Sequence, residues 1–356
     1  MPKDGERGAG GRVTLQTLAD HLGVSRTTVS NAYSRPDQLT AKLRRRILKA
    51  AEELGYPGPH PAARSLRRGR AGAIGLVLTE TLPYAFGDPY AVNFLQGIAA
   101  ATEPAGVGLL LLPLSREDTT AEAITGAAVD GFCLFSLPDG HPALTAVLRR
   151  RLPVIVVDEP RSAGLPYVGI DDRAAFRSAT EHVLDLGHRR IAVAAYRVRF
   201  DGHDGWADSA RQAGATFPAT RERLAGAREA CGRAGVDWGS VPVTESAPNE
   251  HESGLRAGRR LLGLDPRPTA IVAMSDVLAF GVLEAARELG LRVPENVSVV
   301  GFDDVAAAAA ADLTTIRQSG KEKAATAARY LLIGEGPESV LLPHELVVRG
   351  STGPPA

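Results

Sequence analysis

The chain has 356 residues, too long for one compact domain and suited to two or three. Its 41 Lys and Arg balance 41 Asp and Glu, and 44% of its residues are hydrophobic, which excludes global disorder and a uniformly polybasic coat. By position the balance is uneven: residues 1–70 carry 14 basic and 6 acidic side chains, a net of +8 against −8 for the rest, so an anionic partner is implied for the first part alone.

Residues 1–12 are Gly-rich and lack the apolar run of a secretory leader, so they are expected to form a disordered tail on a cytoplasmic chain. The longest apolar runs, such as Val107–Leu112 and Val154–Val157, are strand-sized and far below the ~20 residues that span a bilayer. No membrane partner is expected. Cys133 and Cys231 lie far apart and outside any CxxC or Cys/His cluster, which argues for two core thiols and no metal site.

From Val13 the pattern turns helical. Thr14 can cap a segment whose Leu15, Leu18, Ala19 and Leu22 share one face, and Gly23 ends it with a left-handed turn. Ser25 opens a second segment, to Tyr33, in which Val29, Ala32 and Tyr33 pack inward while Arg26, Thr27, Ser30 and Asn31 take the other faces. Thr40 opens a third, with Leu43, Ile47, Leu48, Ala51 and Leu54, stopped by Gly55 and Pro57. Two helices about a tight Gly turn with a third behind form a helix-turn-helix, whose second helix carries short polar side chains that reach base edges. An ordinary helical bundle with solvated faces fits the bare pattern too.

Two motifs separate these readings: Gly23-Val-Ser-Arg-Thr-Thr-Val-Ser30 and Ala63-Arg-Ser-Leu66. The first closely resembles the start of the lactose-repressor (LacI/GalR) family of bacterial transcription regulators, and the second resembles its hinge helix. The resemblance continues through Met274-Ser-Asp276, Val300-Gly-Phe-Asp303 and Leu313-Thr-Thr315. It implies a sequence-specific regulator, a repressor by family frequency, that binds a palindromic operator in double-stranded DNA as a homodimer. By motif position the implied head contacts are Thr14, Ser25, Arg26, Thr27, Thr28, Ser30 and Asn31, with Arg26 suited to a bidentate guanine contact or to a phosphate. Ala63, Arg64 and Leu66 are the implied hinge contacts, Leu66 as an apolar wedge in the minor groove. Packing of Leu66 on the body is the alternative. No heptad helix follows Gly350, so the family's tetramerising tail is not expected.

Beyond the hinge, Ala73–Thr79, Val107–Leu112, Gly131–Phe135 and Val154–Val157 read as strands, with helices near Ala91–Glu103, Ala121–Ala128 and Pro142–Arg150. A second set follows, with helices Ala174–Leu186, Thr220–Ala234, Glu252–Leu262 and Val277–Leu289 and strands Ile191–Ala195, Ala270–Ala273 and Val297–Gly301. Continuous rather than alternating hydrophobicity marks parallel strands buried on both faces. The expected fold class is α plus α/β: a three-helix helix-turn-helix head, a hinge helix, and a bilobed periplasmic-binding-protein-like body of two doubly wound parallel-sheet lobes. Expected bounds are 1–12 for the tail, 13–56 for the head, 57–70 for the hinge, 71–170 with 319–340 for the N-terminal effector lobe, and 171–318 with 341–356 for the C-terminal one. The resemblance places a small, sugar-like effector between the lobes, held by Arg223, Ser275 and Asp303. A structural inter-lobe ion pair is the alternative for Arg223 and Asp303. No P-loop, GxSxG elbow or HExxH run is present, so neither an enzyme nor a cofactor is expected. His188 reads as structural.

Overall fold

Capping residues set the ends of the N-terminal helices, α1 (Leu15–Leu22), α2 (Arg26–Ser34) and α3 (Ala41–Glu53). Thr14 and Thr17 cap each other's backbone at the start of α1, and Gly23 closes it at φ +66°. Ser25 and Thr40 accept from the first turns of α2 and α3. Leu18, Ala19, Val29, Ala32 and Ile47 meet in a small sealed core. In this computed structural model the described residues are 13–58, 69–79, 81–114, 117–161, 164–334 and 339–356. The expected tail and the hinge residues Ala63, Arg64 and Leu66 lie outside them.

Residues 1–71 and 72–356 form separate units. The larger one holds two sheets. Its first half runs β1 (Ala73–Leu78), α4 (Leu82–Gly87), α5 (Pro89–Thr102), β2 (Gly108–Pro113), α6 (Glu117–Gly126), β3 (Gly131–Phe135), α7 (Pro142–Arg149), β4 (Val154–Val157) and β5 (Tyr167–Gly169). The second half runs α8 (Asp172–Asp185), β6 (Ile191–Tyr196), β7 (Gly205–Trp206), α9 (Ser209–Ala213), α10 (Pro218–Arg233), β8 (Val243–Ser246), α11 (His251–Leu262), β9 (Ala270–Ala273), α12 (Asp276–Glu288), β10 (Ser298–Asp303), α13 (Ala306–Ala310) and β11 (Thr314–Arg317). The chain closes with α14 (Gly320–Ile333), β12 (Ser339–Leu341) and β13 (Glu345–Val347).

The first sheet has the order β12-β5-β4-β3-β1-β2, and the second β13-β11-β10-β9-β6-β8-β7. Every pairing is parallel except those of β13 and β7 at the edges of the second sheet. The chain therefore crosses between sheets after β5, after β11 and after β12. Apolar clusters fill both faces of each sheet, as βα connections require. Glycines let helices approach closely. A Cβ on Gly226 in α10 would lie 2.2 Å from the Arg173 carbonyl oxygen in α8, and one on Gly281 in α12 would lie 2.3 Å from that of His251 in α11.

The hydrophobic pattern misses β8 for a physical reason. Its Thr244, Glu245 and Ser246 are fully buried, so the strand reads as polar. Glu245 is matched by the Arg211 guanidinium and by the Val198 amide at 2.7 Å. Arg211 also grips Asp201, so α9 and the loop after β6 are tied to the second sheet. His188 is held through both ring nitrogens, by Thr269 at 2.9 Å and the Gly353 carbonyl at 2.8 Å. Both cysteines are buried. No described helix is long and apolar enough to cross a membrane.

Candidate functional site: an inter-sheet cleft and a helix-turn-helix face

Parallel sheets gather loop and strand-end residues at their carboxyl edges, where neighbouring connections diverge. In this body those edges of the two sheets face each other across a cavity of about 700 Å³, counting space open to solvent, a size that suits a small organic ligand. From the first sheet come Thr79 after β1, Ser136 after β3 and Asp158 after β4, with Tyr84, Asp88 and Tyr90 from α4, α5 and their junction. From the second come Tyr196 and Arg197 at β6, Ser275 after β9, Asp303 at the end of β10, and Asn249, with Gln318 on the segment between sheets. Ser136, Asp158 and Asp303 hold left-handed φ values of 60°, 64° and 117°. Side chains rarely accept that backbone, and such strain concentrates where a polar group must be aimed at a ligand.

The cleft is knit by polar contacts. Asn249 donates to Asp88 at 3.2 Å and accepts from the Ser275 hydroxyl at 2.5 Å. Ser275 also caps α12 through the Leu278 amide, so this hydroxyl is committed on both sides. Gln318 donates to Asp303 at 2.7 Å. Glu159, fully buried, accepts from the Ala219 amide at 2.9 Å, joining β4 to the start of α10. The Asp139 amide donates to the Thr216 carbonyl at 2.8 Å, and its carboxylate accepts from Arg221 at 3.0 Å.

Burial governs the titration of these groups. It pushes the Asp303 carboxyl well up, aided by the charge of Asp276 and opposed by Arg223 and Gln318. It raises Glu159 to about 8 against the pull of the Ala219 amide and Arg197. Tyr84 and Tyr90 are likewise driven up, first by burial and then by Asp88 and Asp158. Arg223 stays charged because Tyr196, Asp172 and Asp303 outweigh its desolvation.

The three sequence-derived effector residues all line this cavity. Arg223 is at the same time held by the protein's own groups. Its guanidinium bonds Asp172 at 2.9 Å and the Met274 carbonyl at 2.7 Å, and lies 3.7 Å over the Phe302 ring. Its partner is thus Asp172 on α8, within the second sheet's own layer, while Asp303 takes Gln318. Among the aromatic side chains Tyr90 lines the cleft, whereas Phe86, Phe200 and Trp206 are exposed.

On the head, Ser25, Arg26 and Thr27 are exposed at the first turn of α2, with Thr14 exposed at the start of α1. Thr28 is half-buried and its hydroxyl meets that of Ser25 at 2.8 Å. Asn31 is half-buried and donates to Gln38 at 3.1 Å. Ser30 is 6% exposed, more enclosed than the other head residues expected at the groove.

Residues 14–58 match the model of bacterial regulatory proteins of the lacI family, and residues 180–352 match that of the periplasmic binding protein-like domain. An HTH-type transcriptional regulator of Mycobacterium tuberculosis is 44% identical over 354 residues, 97% of this chain and 98% of its own. The chain belongs to the LacI family. The family member from Corynebacterium glutamicum whose crystal structure is known is 36% identical, with a TM-score of 0.74 over 95% of this chain and 98% of its own. The regulator CelR, solved as a cellobiose complex, is 29% identical, with a TM-score of 0.66 over 96% of this chain and all of its own. This LacI-family protein is thus a DNA-binding transcriptional regulator and not an enzyme.

Family motifs led to Arg223, Ser275 and Asp303 but not to Asp88, Asp158, Asn249 or Gln318. One signal was available for part of these. Ser136 and Asp158 are the first polar residues after fully buried apolar strands, and in a parallel sheet that position faces the cleft.

Proposed function

We propose that the protein is a repressor that binds a palindromic operator as a dimer in the cytoplasm, and that a small sugar-like effector seated between its lobes controls the binding. The polar cleft carries this reading. Facing carboxylates and amides from both lobes suit neighbouring hydroxyls, which donate to one group and accept from the next. Cellobiose in the CelR complex supports the ligand class.

In the head, Thr14, Ser25, Arg26, Thr27, Thr28 and Asn31 supply the operator contacts, Arg26 and Thr27 reading bases from the N-terminal turn of α2. In the hinge, Leu66 wedges the operator centre between flanking contacts from Ala63 and Arg64. Effector binding acts through its different affinity for two inter-lobe angles, transmitted to the hinge. The edge strand β2 offers exposed Leu110 as part of a surface for a second copy. Comparing Leu66→Ala with wild type on operator and random duplexes, at one fixed salt, tests the reading. Specific affinity should drop at least ~10-fold with non-specific affinity nearly constant; equal loss on both overturns the wedge.

A further inference from the structure

Lys323 sits on α14 in an Ala-rich stretch and is 0% exposed. Burying an ammonium is costly unless all three of its hydrogens are used. Here three acceptors surround it: the Asp158 carboxylate, the Gln318 side-chain carbonyl and the Tyr90 hydroxyl at 2.8 Å. Each of these three side chains lines the effector cavity.

An ammonium only donates, so its position dictates the polarity of its neighbours. Tyr90 must accept from Lys323, which leaves its own hydrogen for Asp158 at 3.1 Å or Gln318 at 3.3 Å. Gln318 must turn its carbonyl to Lys323, which leaves its NH₂ for Asp303 at 2.7 Å. One buried cation thereby orders a chain from Asp158 in the first lobe, through the segment between lobes, to Asp303 in the second. It also cancels the charge of Asp158, while Arg223 is matched by Asp172.

We propose that Lys323 is a positioning residue that fixes the hydrogen-bond polarity of Tyr90 and Gln318, so that the cleft selects an uncharged polyol whose free hydroxyls donate to Asp158 and Asp303. This rests on the reading of the cleft as an effector site. A cleft set in this way disfavours phosphate esters and sugar acids, and it disfavours analogues in which a donating hydroxyl is deleted or methylated. A site built for a hydroxyl leaves its own buried polar groups unpaired when that hydroxyl is missing.

The full-length protein is screened by thermal shift against D-ribose, D-glucose, linear and cyclic hexitols, cellobiose, and the available phosphates of the same compounds. Affinities for each responding polyol and its monodeoxy and O-methyl analogues are then measured by calorimetry on wild type and Lys323→Met. Wild type should bind a neutral polyol and prefer it over at least one deoxy analogue by ~10-fold or more. In Lys323→Met that preference should collapse to about threefold or less, because Tyr90 and Gln318 are then free to reverse. A uniform fall for polyol and analogues alike, or an unchanged preference, overturns the proposal and leaves Lys323 a structural cation. Should Lys323→Met fail to fold, Asp158→Asn with Lys323→Met removes both charges and is compared with Asp158→Asn alone. The double variant should lose the preference for the polyol over its deoxy analogue to about threefold or less, and a preference equal to that of Asp158→Asn overturns the proposal. A wild type that binds only phosphates overturns it too, with the effector site intact. If no compound stabilises the wild type, the sugar-like reading of the cleft falls, and this proposal with it.

Discussion

Replacing Arg223 by Met tests whether its charge serves the fold as well as the cleft. The arginine is 5% exposed, bonds Asp172 through Nε and Nη2 at 2.9 Å, and caps the Met274 carbonyl. Met fills similar space over Phe302 but leaves Asp172, itself 2% exposed, with only the longer 3.9 Å contact to the more exposed Arg161. Breaking a buried pair from one side costs about 3–5 kcal/mol, which for a body of this size lowers Tm by roughly 6–20 °C. Asp172 is already pushed up by burial, with Arg223 first among the groups that hold it down. Without Arg223 it should take up a proton more readily, so the cost should shrink as pH falls. Asp172→Asn with Arg223→Met should recover most of the loss, since neither charge of the pair then remains. Urea denaturation of wild type and the two variants at two pH values decides it. A cost under ~1 kcal/mol for Arg223→Met, or a double variant no better than the single one, would refute the reasoning.

Glu159 gives a pH signature. Its folded value of about 8 stands above the ordinary 4.5, so its contribution is complete below about pH 4.5 and lost as pH rises through 8. Glu159→Gln should therefore flatten the fall in Tm between pH 6 and pH 9, and parallel slopes would contradict this. Gly226→Ala should cost about 1–3 kcal/mol in urea denaturation, because α8 and α10 must part to admit a methyl 2.2 Å from the Arg173 carbonyl; unchanged stability would deny the close packing. Arg26→Ala should cost about 1–3 kcal/mol and relax base preference at one operator position in a binding-site selection. Uniform loss across all sequences would instead make Arg26 a phosphate contact.

Much of this architecture was legible because it repeats locally. The i, i+3, i+4 face of α1 and the unbroken apolar runs of β1, β3 and β4 need only neighbouring residues to be read. β8 did not reveal itself, since Thr244, Glu245 and Ser246 are buried by partners elsewhere in the chain. The cleft shows the same divide. Asp303 and Ser275 sit in motifs, but Lys323 gains its meaning from Asp158, 165 positions away. Ser30 shows the converse: a polar side chain on a short helix reads as exposed, and its burial follows only from the assembled head.

The paired visits of the chain to each sheet bear on synthesis. β12 is the edge of the first sheet and β13 the edge of the second, so neither lobe is a contiguous stretch of sequence. A chain ending before Ser339 keeps the whole head yet lacks an edge strand in both lobes. On the ribosome the head emerges first, and at about 5–20 residues per second the last strands follow on the order of ten seconds to a minute later. During that interval a basic head is tethered to a body in which both sheets still lack an edge strand.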